Sequence, residues 1–232
     1  MINNPQRTEI IRNLLGLGVE IPCPDGIIIE ENVKIGKGTL ILPNTIIMGE
    51  TKIGEDCVIG PNSYICDTFI GNNTKLNNTQ SFNSKIGSGV TAGPFVHIRP
   101  NCKIADNVHI GNFVEVKNSI VDEGSKLPHL LYVGDSDVGK DVNFGCGSVT
   151  VNYDGRNKSR TTVKDGAFIG CNTNLVAPVT VGENAFTAAG STITEDVPDN
   201  ALAVARSKQT IKENWVNIKN PIKDNTKNKR RN

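Results

Sequence analysis

A parallel β-helix is the fold this sequence predicts, and three observations predict it. An aliphatic residue, often followed by Gly, recurs every six positions over about 160 residues from Ile29 onward. Only 5% of the chain is aromatic while it holds 23 glycines, a poor recipe for a conventional globular core and a good one for stacked tight turns. The phase breaks decisively once, by insertion, and then resumes. A six-residue aliphatic period is the signature of hexapeptide β-helices. Three short strands make one 18-residue triangular coil, and coils stack at roughly 4.7–4.9 Å.

The elements follow in chain order. Arg7 to Leu15 (RTEIIRNLL) spaces its apolar residues helically and stops at Gly16, which predicts a short helix. Pro22, Pro24 and Gly26 then mark a turn region. The repeat heads run Ile35, Ile41, Ile47, Ile53, Ile59 and Ile65, slip between Ile70 and Ile86, and resume at Ala92, Ile98, Ile104, Ile110, Val116, Val121, Leu127, Val133, Val138, Phe144 and Thr150. Thirteen positions instead of six separate Thr150 from Val163, an insertion of seven. The heads then continue through Ile169, Leu175, Val181, Thr187 and Ile193. The inserted loop, 151–162, is polar and basic and holds the turn former Asp154-Gly155. Solenoids carry such insertions on their surface, often on the binding face. Three segments result: residues 1–22 as helix and connector, 23–199 as the β-helix, and 200–232 as a C-terminal arm. The arm is expected to hold a short helix around Gln209–Ile218 and to end in a disordered basic tail, Lys223–Asn232.

Composition excludes some classes. The net charge of +1 hides an asymmetry: from Arg206 onward nine Lys/Arg face two Asp/Glu, so the body carries 16 against 22 and is mildly acidic. That argues against a nucleic-acid surface. No apolar run approaches the length of a membrane span, and Asn3, Asn4 and Gln6 do not open a signal peptide. The six cysteines form no CxxC pair, so they are expected to be reduced thiols in a cytoplasmic protein.

Register turns the repeat into geometry. Arg99 and Lys117 lie 18 residues apart, each directly after a head, so two cations stack one strand spacing apart. Like charges so placed repel, which suits a clamp on an anion such as a phosphate; two solvated surface cations are the plainer reading. A second column starts at Asn112 and passes through His129, Cys146, Cys171 and Ala189, placing a histidine in line with small side chains. Such a track accommodates a thin extended ligand. A lone surface histidine is usually inert, but Tyr132, Asn143 and the inserted loop gather near this one, and imidazole is the side chain suited to general-base work near neutral pH. His97, His109 and His129 occupy different faces or repeat positions, which argues against a zinc site. Nucleophilic catalysis by Cys146 or Cys171 would require an activated thiolate; small-residue packing is the simpler role.

The same residues carry a resemblance. From Gly93-Pro94-Phe95 through Arg99-Pro100, the run from Val108 to Lys117, His129-Leu130, Tyr132, Gly134-Asp135, Asn143, Asn152-Tyr153-Asp154-Gly155, Leu175 to Gly182 and Ala201-Leu202-Ala203 to Arg206, the chain resembles one acetyltransferase domain. It is the C-terminal half of the bifunctional bacterial glucosamine-1-phosphate N-acetyltransferase/N-acetylglucosamine-1-phosphate uridylyltransferases. The specific match covers about residues 90–215; residues 29–90 share only the generic repeat, and residues 1–20 look like the family's helical connector. The resemblance implies a left-handed β-helix that forms homotrimers with sites between subunits. It also implies acetyl-CoA as co-substrate and a direct transfer with His129 as base. By position Arg99, Lys117, Tyr132 and Asn143 fall at sugar-phosphate contacts, and Cys146, Asn152, Tyr153, Cys171, Ala189 and Arg206 at acetyl-CoA contacts. Asn152 is further expected to help hold the oxyanion. Cys146 and Cys171 stand where that family usually has alanine and serine, and Pro128 where a small flexible residue is common. No glycine-rich nucleotide loop precedes the repeat, so the chain is expected not to make UDP-N-acetylglucosamine. A related N-acyltransferase for another amino sugar is the alternative, and a non-catalytic hexapeptide trimer is a second.

Overall fold

The computed structural model describes residues 4–219. Its body is a β-helix of short parallel strands, nine stacked on one face and eighteen shared by the other two. Every aliphatic head of the repeat turns inward: Ile41, Ile47, Ile59, Ile65, Ile98, Ile110, Val116, Leu127, Val133, Ile169 and Leu175 are all fully buried. Burying a side chain of this size contributes roughly 1.5–3 kcal/mol, and one column of them per face makes a continuous core. Phe144, Thr150 and Thr187 take the same inward position. The threonines keep their hydroxyls satisfied: Gly134 N–H donates to Thr150 Oγ1 at 2.8 Å, and Gly170 N–H to Thr187 Oγ1 at 3.0 Å.

The slip before Ala92 has a plain structural cause. Ile65 pairs in register with Ser81, and Ser81 with Ile98, so Ser81 is a head in its own right. It is buried and its hydroxyl meets Thr68 Oγ1 at 3.2 Å. A polar head hides from an aliphatic search, and the coils around it are one or two residues short.

The first end of the stack is closed by α1 (Asn4–Gly16), whose Leu14 is buried against Val19 and Ile21. Arg7 Nε donates to the Ile27 carbonyl at 2.7 Å and ties this helix to the first coil. The inserted loop leaves the stack without disturbing it: Ser136, Asp137 and Val138 pair directly with Thr161, Thr162 and Val163. Beyond Ile193 the strand Leu202–Ala203 pairs with Phe186–Thr187. The C-terminal helix α2, Trp215–Lys219, is shorter than expected, because the stretch before it stays irregular and exposed. The basic tail at 223–232 lies outside the described residues.

One corner column is conformationally unusual. Asn44, Asn62, Asn78 and Asn172 sit there in left-handed backbone, as Asn readily does. In the three central coils the same position holds Phe95, Phe113 and Leu130, also at positive φ and each more than half exposed. The rings of Phe95 and Phe113 stack with centroids 5.2 Å apart and planes 7° from parallel. Leu130 follows His129 directly, so this ridge adjoins the candidate site.

Candidate active site

The site grows from two neighbouring columns. Ile98 pairs with Val116, and Lys117 with Gly134, so Arg99, Lys117 and Gly134 lie one above another. Gly134 has no side chain for a reason: a Cβ there would lie 2.3 Å from the Tyr132 hydroxyl, whose ring covers it. Tyr132 is thereby laid beside Lys117.

The stacked cations expected from the register are present, and each has an acidic partner. Arg99 Nη1 donates to Glu115 Oε1 at 2.8 Å, and Lys117 Nζ lies 3.6 Å from Asp135 Oδ2. The first pair is well exposed, with side chains 40% and 38% accessible, and contributes at most about 1 kcal/mol. The second is different, because Asp135 is buried. Its carboxylate accepts Asn118 Nδ2 at 2.5 Å and also the side-chain amide of Asn152. Burial pushes the Asp135 carboxyl up, but the two amides and the Lys117 and Lys158 ammonium ions outweigh it and hold the group below the usual carboxylate range.

Lys158 comes from the inserted loop. Tyr153 and Lys158 form an antiparallel bridge, and Asp154 Oδ1 accepts the N–H groups of Arg156 and Asn157 to close the turn between them. Arg160 fastens the far end: its guanidinium grips both oxygens of Asp137 and donates to the carbonyls of Asn118 and Ser136. The contact with Lys117 pushes the Lys158 ammonium down. Among the described residues three cations (Arg99, Lys117, Lys158) thus face two carboxylates (Glu115, Asp135), an excess of one positive charge that suits an anion.

The second column runs along the next corner. Asn112 pairs with His129. Gly147 N–H donates to the His129 carbonyl, Asn172 N–H to that of Cys146, and Gly190 N–H to that of Cys171. His129, Cys146, Cys171 and Ala189 are therefore consecutive steps, about 14 Å from first to last at the usual strand spacing. At the far end Arg206 lies over Gly190, its Cδ 3.8 Å from where a Cβ would stand. A histidine opens the track, small side chains floor it, and an exposed cation closes it.

The expected residues thus divide into groups. Lys117 and Asn152 gather at Asp135 with Tyr132 beside them and Arg99 one coil below Lys117; His129, Cys146, Cys171, Ala189 and Arg206 line the corner track. Asn143 pairs with Lys126 and Phe168 on the face before the His129 corner, and the fold does not bring it to the cation cluster within one chain. Tyr153 is exposed on the loop, its hydroxyl donating to the Gly155 carbonyl at 2.7 Å. Asn152 differs most from expectation: its amide nitrogen is engaged inward with Asp135 and approaches the Tyr132 hydroxyl at 3.4 Å. That amide anchors the loop, and an oxyanion donor would have to come from elsewhere. His97 packs edge-on against Phe82, and His109 Nδ1 lies 2.8 Å from Thr91 Oγ1, each in its own column. Asp135, Glu115 and Lys158 were missed as site residues. Asp135 gave one readable signal, an acid directly after the Gly134 that the register stacks above Lys117.

Comparison with known proteins follows the same lines. The model for "Bacterial transferase hexapeptide (six repeats)" matches residues 32–67, 83–118 and 160–195. These three segments carry that repeat. Over 210 residues it is 58% identical to the "Bifunctional protein GlmU" of Geobacillus sp. (strain WCH70), covering 90% of this chain and 46% of that protein. The protein of the same name from Clostridioides difficile (strain 630) is 52% identical with the same coverage. The chain therefore spans just under half the length of these curated relatives. Among solved structures, a UDP-N-acetylglucosamine acyltransferase from Francisella novicida aligns with a TM-score of 0.40 at 20% identity, covering 77% of this chain and 65% of that one. Among the described residues no helix is long and apolar enough to cross a membrane.

Proposed function

We propose that this chain is an acyltransferase acting on an amino sugar, specifically an acetyl-CoA-dependent N-acetyltransferase for the 2-amine of glucosamine-1-phosphate. The observation that carries the reading is the pair of columns on neighbouring corners of the same coils: a cation cluster with one positive charge to spare on one, and on the other a narrow track that opens at His129 and ends near Arg206. The identity to the bifunctional relatives supports the same chemistry.

In this reading the acceptor phosphate is held by Arg99, Lys117 and Lys158 with Tyr132 alongside. The donor thioester arm lies along Cys146, Cys171 and Ala189, and Arg206 receives its charged end. His129, at the head of the track, accepts the proton as the amine attacks the thioester. Fixing both substrates on one rigid stack lowers the entropic part of the barrier. His129→Ala is expected to lower turnover roughly 10²–10⁴-fold while leaving the strand signal of the fold intact. A variant retaining the wild-type rate refutes the base assignment, and no CoA release with glucosamine-1-phosphate across a panel of amino sugars refutes the enzyme.

The working unit in this reading is a cytoplasmic homotrimer. Asn143 is separated from the cation cluster within one chain, so a neighbouring copy has to complete the site if Asn143 contacts the sugar. The exposed ridge of Phe95, Phe113 and Leu130 supports a seat for that copy. It costs about 1–2 kcal/mol per residue in backbone conformation and exposes three large apolar side chains beside the site. Sedimentation at several concentrations tests this.

A further inference from the structure

The donor track contains a feature that acyl transfer does not require: its two middle steps are both cysteine. Cys146 and Cys171 are flanked by backbone hydrogen bonds on either side, Gly145 N–H to the Ile169 carbonyl and Asn172 N–H to the Cys146 carbonyl, which makes them register partners in adjacent coils. Both stand in corresponding turns, each followed by a left-handed residue (Gly147, φ 76°; Asn172, φ 53°), so the stacked turns share one backbone shape and project these two side chains to the same side. One stack spacing, roughly 4.7–4.9 Å, puts their Cα atoms inside the roughly 4.4–6.8 Å that a disulfide spans, and their Cβ atoms have to close by a few tenths of an ångström to reach its roughly 3.5–4.5 Å. Both are free thiols; Cys171 is exposed and Cys146 half-buried.

The other cysteines are unlike these two. Cys57 and Cys102 are buried, and burial pushes both thiols up. Each is also held in hydrogen bonds by the stack: Cys57 Sγ to the Gly71 carbonyl at 3.1 Å, Cys102 Sγ to the Val116 carbonyl at 3.4 Å. Cys66 has Met48 and Phe82 as its register partners, so no thiol lies above or below it. Of Cys57, Cys66, Cys102, Cys146 and Cys171, only Cys146 and Cys171 are register partners in adjacent coils. The step below Cys146 is His129, whose imidazole can take the proton of a thiol beside it.

We propose that Cys146 and Cys171 form a reversible disulfide modification site, and that closing it shuts the acyl-donor track. The oxidant is a low-molecular-weight disulfide. The exposed Cys171 thiolate attacks one of its sulfurs, the reagent's S–S bond breaks, and the departing half leaves as a thiolate that takes up a proton. Cys171 now carries a mixed disulfide. Cys146, having passed its proton to His129, attacks Cys171 Sγ and expels the second half as a thiolate, which recovers a proton. Two protein thiols have been oxidised and one small disulfide reduced to two thiols; a small dithiol reverses both steps. The bond draws the two side chains together over the track and replaces two small polarisable contacts with a rigid bridge.

The gating half of this inference rests on the donor-track reading, whereas the cross-link itself does not. The full chain is treated with oxidised glutathione, digested without reduction and mapped by mass, while coenzyme A binding is measured by calorimetry before oxidation, after it, and after dithiothreitol. A peptide pair joining Cys146 to Cys171 is expected, with coenzyme A affinity falling by at least about tenfold and returning on reduction. C171S should abolish both the linked pair and the oxidised-to-reduced difference, whatever its own affinity, while C66S should retain both. Glutathione adducts without a linked pair overturn the site, and a linked protein that binds coenzyme A as tightly as the reduced one overturns the gate. A reduced chain that does not bind coenzyme A refutes the donor-track reading, and the gate with it; the linked peptide then decides the site alone.

Discussion

Removing the Asp135 carboxylate is the most informative single perturbation of this fold, because four groups from two parts of the chain, the coil below and the inserted loop, depend on it. Asn118 comes from the coil below, Asn152 from the root of the inserted loop, Lys117 from the stacked cations and Lys158 from the loop strand. Hydrogen bonds to a charged group contribute about 1.5–3 kcal/mol. Two amide donors lose their acceptor in Asp135→Ala, and relaxation toward solvent recovers part of that, so a loss of about 3 kcal/mol follows. The left-handed backbone at Asp135 adds about 1 kcal/mol for Ala. For a domain of this size 1 kcal/mol shifts Tm by roughly 2–4 °C, so D135A should melt roughly 8–16 °C below wild type at equal protein concentration. Hydrogen exchange should show the loop at 151–162 losing protection ahead of the rod. Asp135→Asn separates the causes, since Asn tolerates the backbone and keeps one acceptor but no charge; it should fall between the two. The pH dependence has a definite sign. The folded-state carboxyl lies below its unfolded value near 3.9, so its stabilisation is complete above that value and is lost as pH falls through the folded one. The wild-type advantage over D135N should therefore be flat from pH 7 to about 5, decline below the unfolded value, and be gone only once pH has passed the folded one. A D135A protein that melts within 2 °C of wild type with unchanged loop exchange would refute this account of the anchor.

Other expectations are quickly stated. Lys158→Gln should weaken acceptor binding several-fold and less than Lys117→Gln does, read from the acceptor KM; an unchanged KM removes Lys158 from the phosphate site. Phe113→Asn should ease about 1 kcal/mol of backbone strain while shifting the sedimentation equilibrium toward smaller species. If the assembly state is unmoved, the ridge is not its seat. Arg160→Ala should free the far end of the loop, seen as faster proteolysis between Asn152 and Arg160 with the strand signal unchanged, and equal cleavage rates would refute the clamp.

Much of this molecule can be read directly from its letters, and the exceptions share a physical origin. The inward position of each coil is an apolar requirement, so the heads from Ile35 to Ile193 declare it, and the column of His129, Cys146, Cys171 and Ala189 follows by counting. Ser81 escaped because a hydroxyl can satisfy the same position when Thr68 stands beside it. Lys158 and Asp135 escaped as site residues because the repeat does not govern where an inserted loop folds back, nor which acid a buried amide will seek. The inward turn of Asn152 belongs with them: sequence places that residue at the loop root, and only its hydrogen bonds show that its amide is already engaged.

The stack has consequences for how evenly the site is held. Coils bind only to their neighbours, so such an array loosens from its ends and is stiffest well inside. The coils from Ile28 to Ala92 hold no candidate site residue, yet they insulate His129 and the cation cluster from fraying at the N-terminal end. On the other side the shelter is thin: among the described residues past Ala189 only Thr192–Ile193 and Leu202–Ala203 are strands, and Arg206 hangs from the bonds of the Ala205 backbone with Thr192 and Ser191. The track thus has a firm end where chemistry is placed and a soft end at its terminal cation. A ligand entering from the soft end would meet a structure that yields first and stiffens step by step toward the histidine.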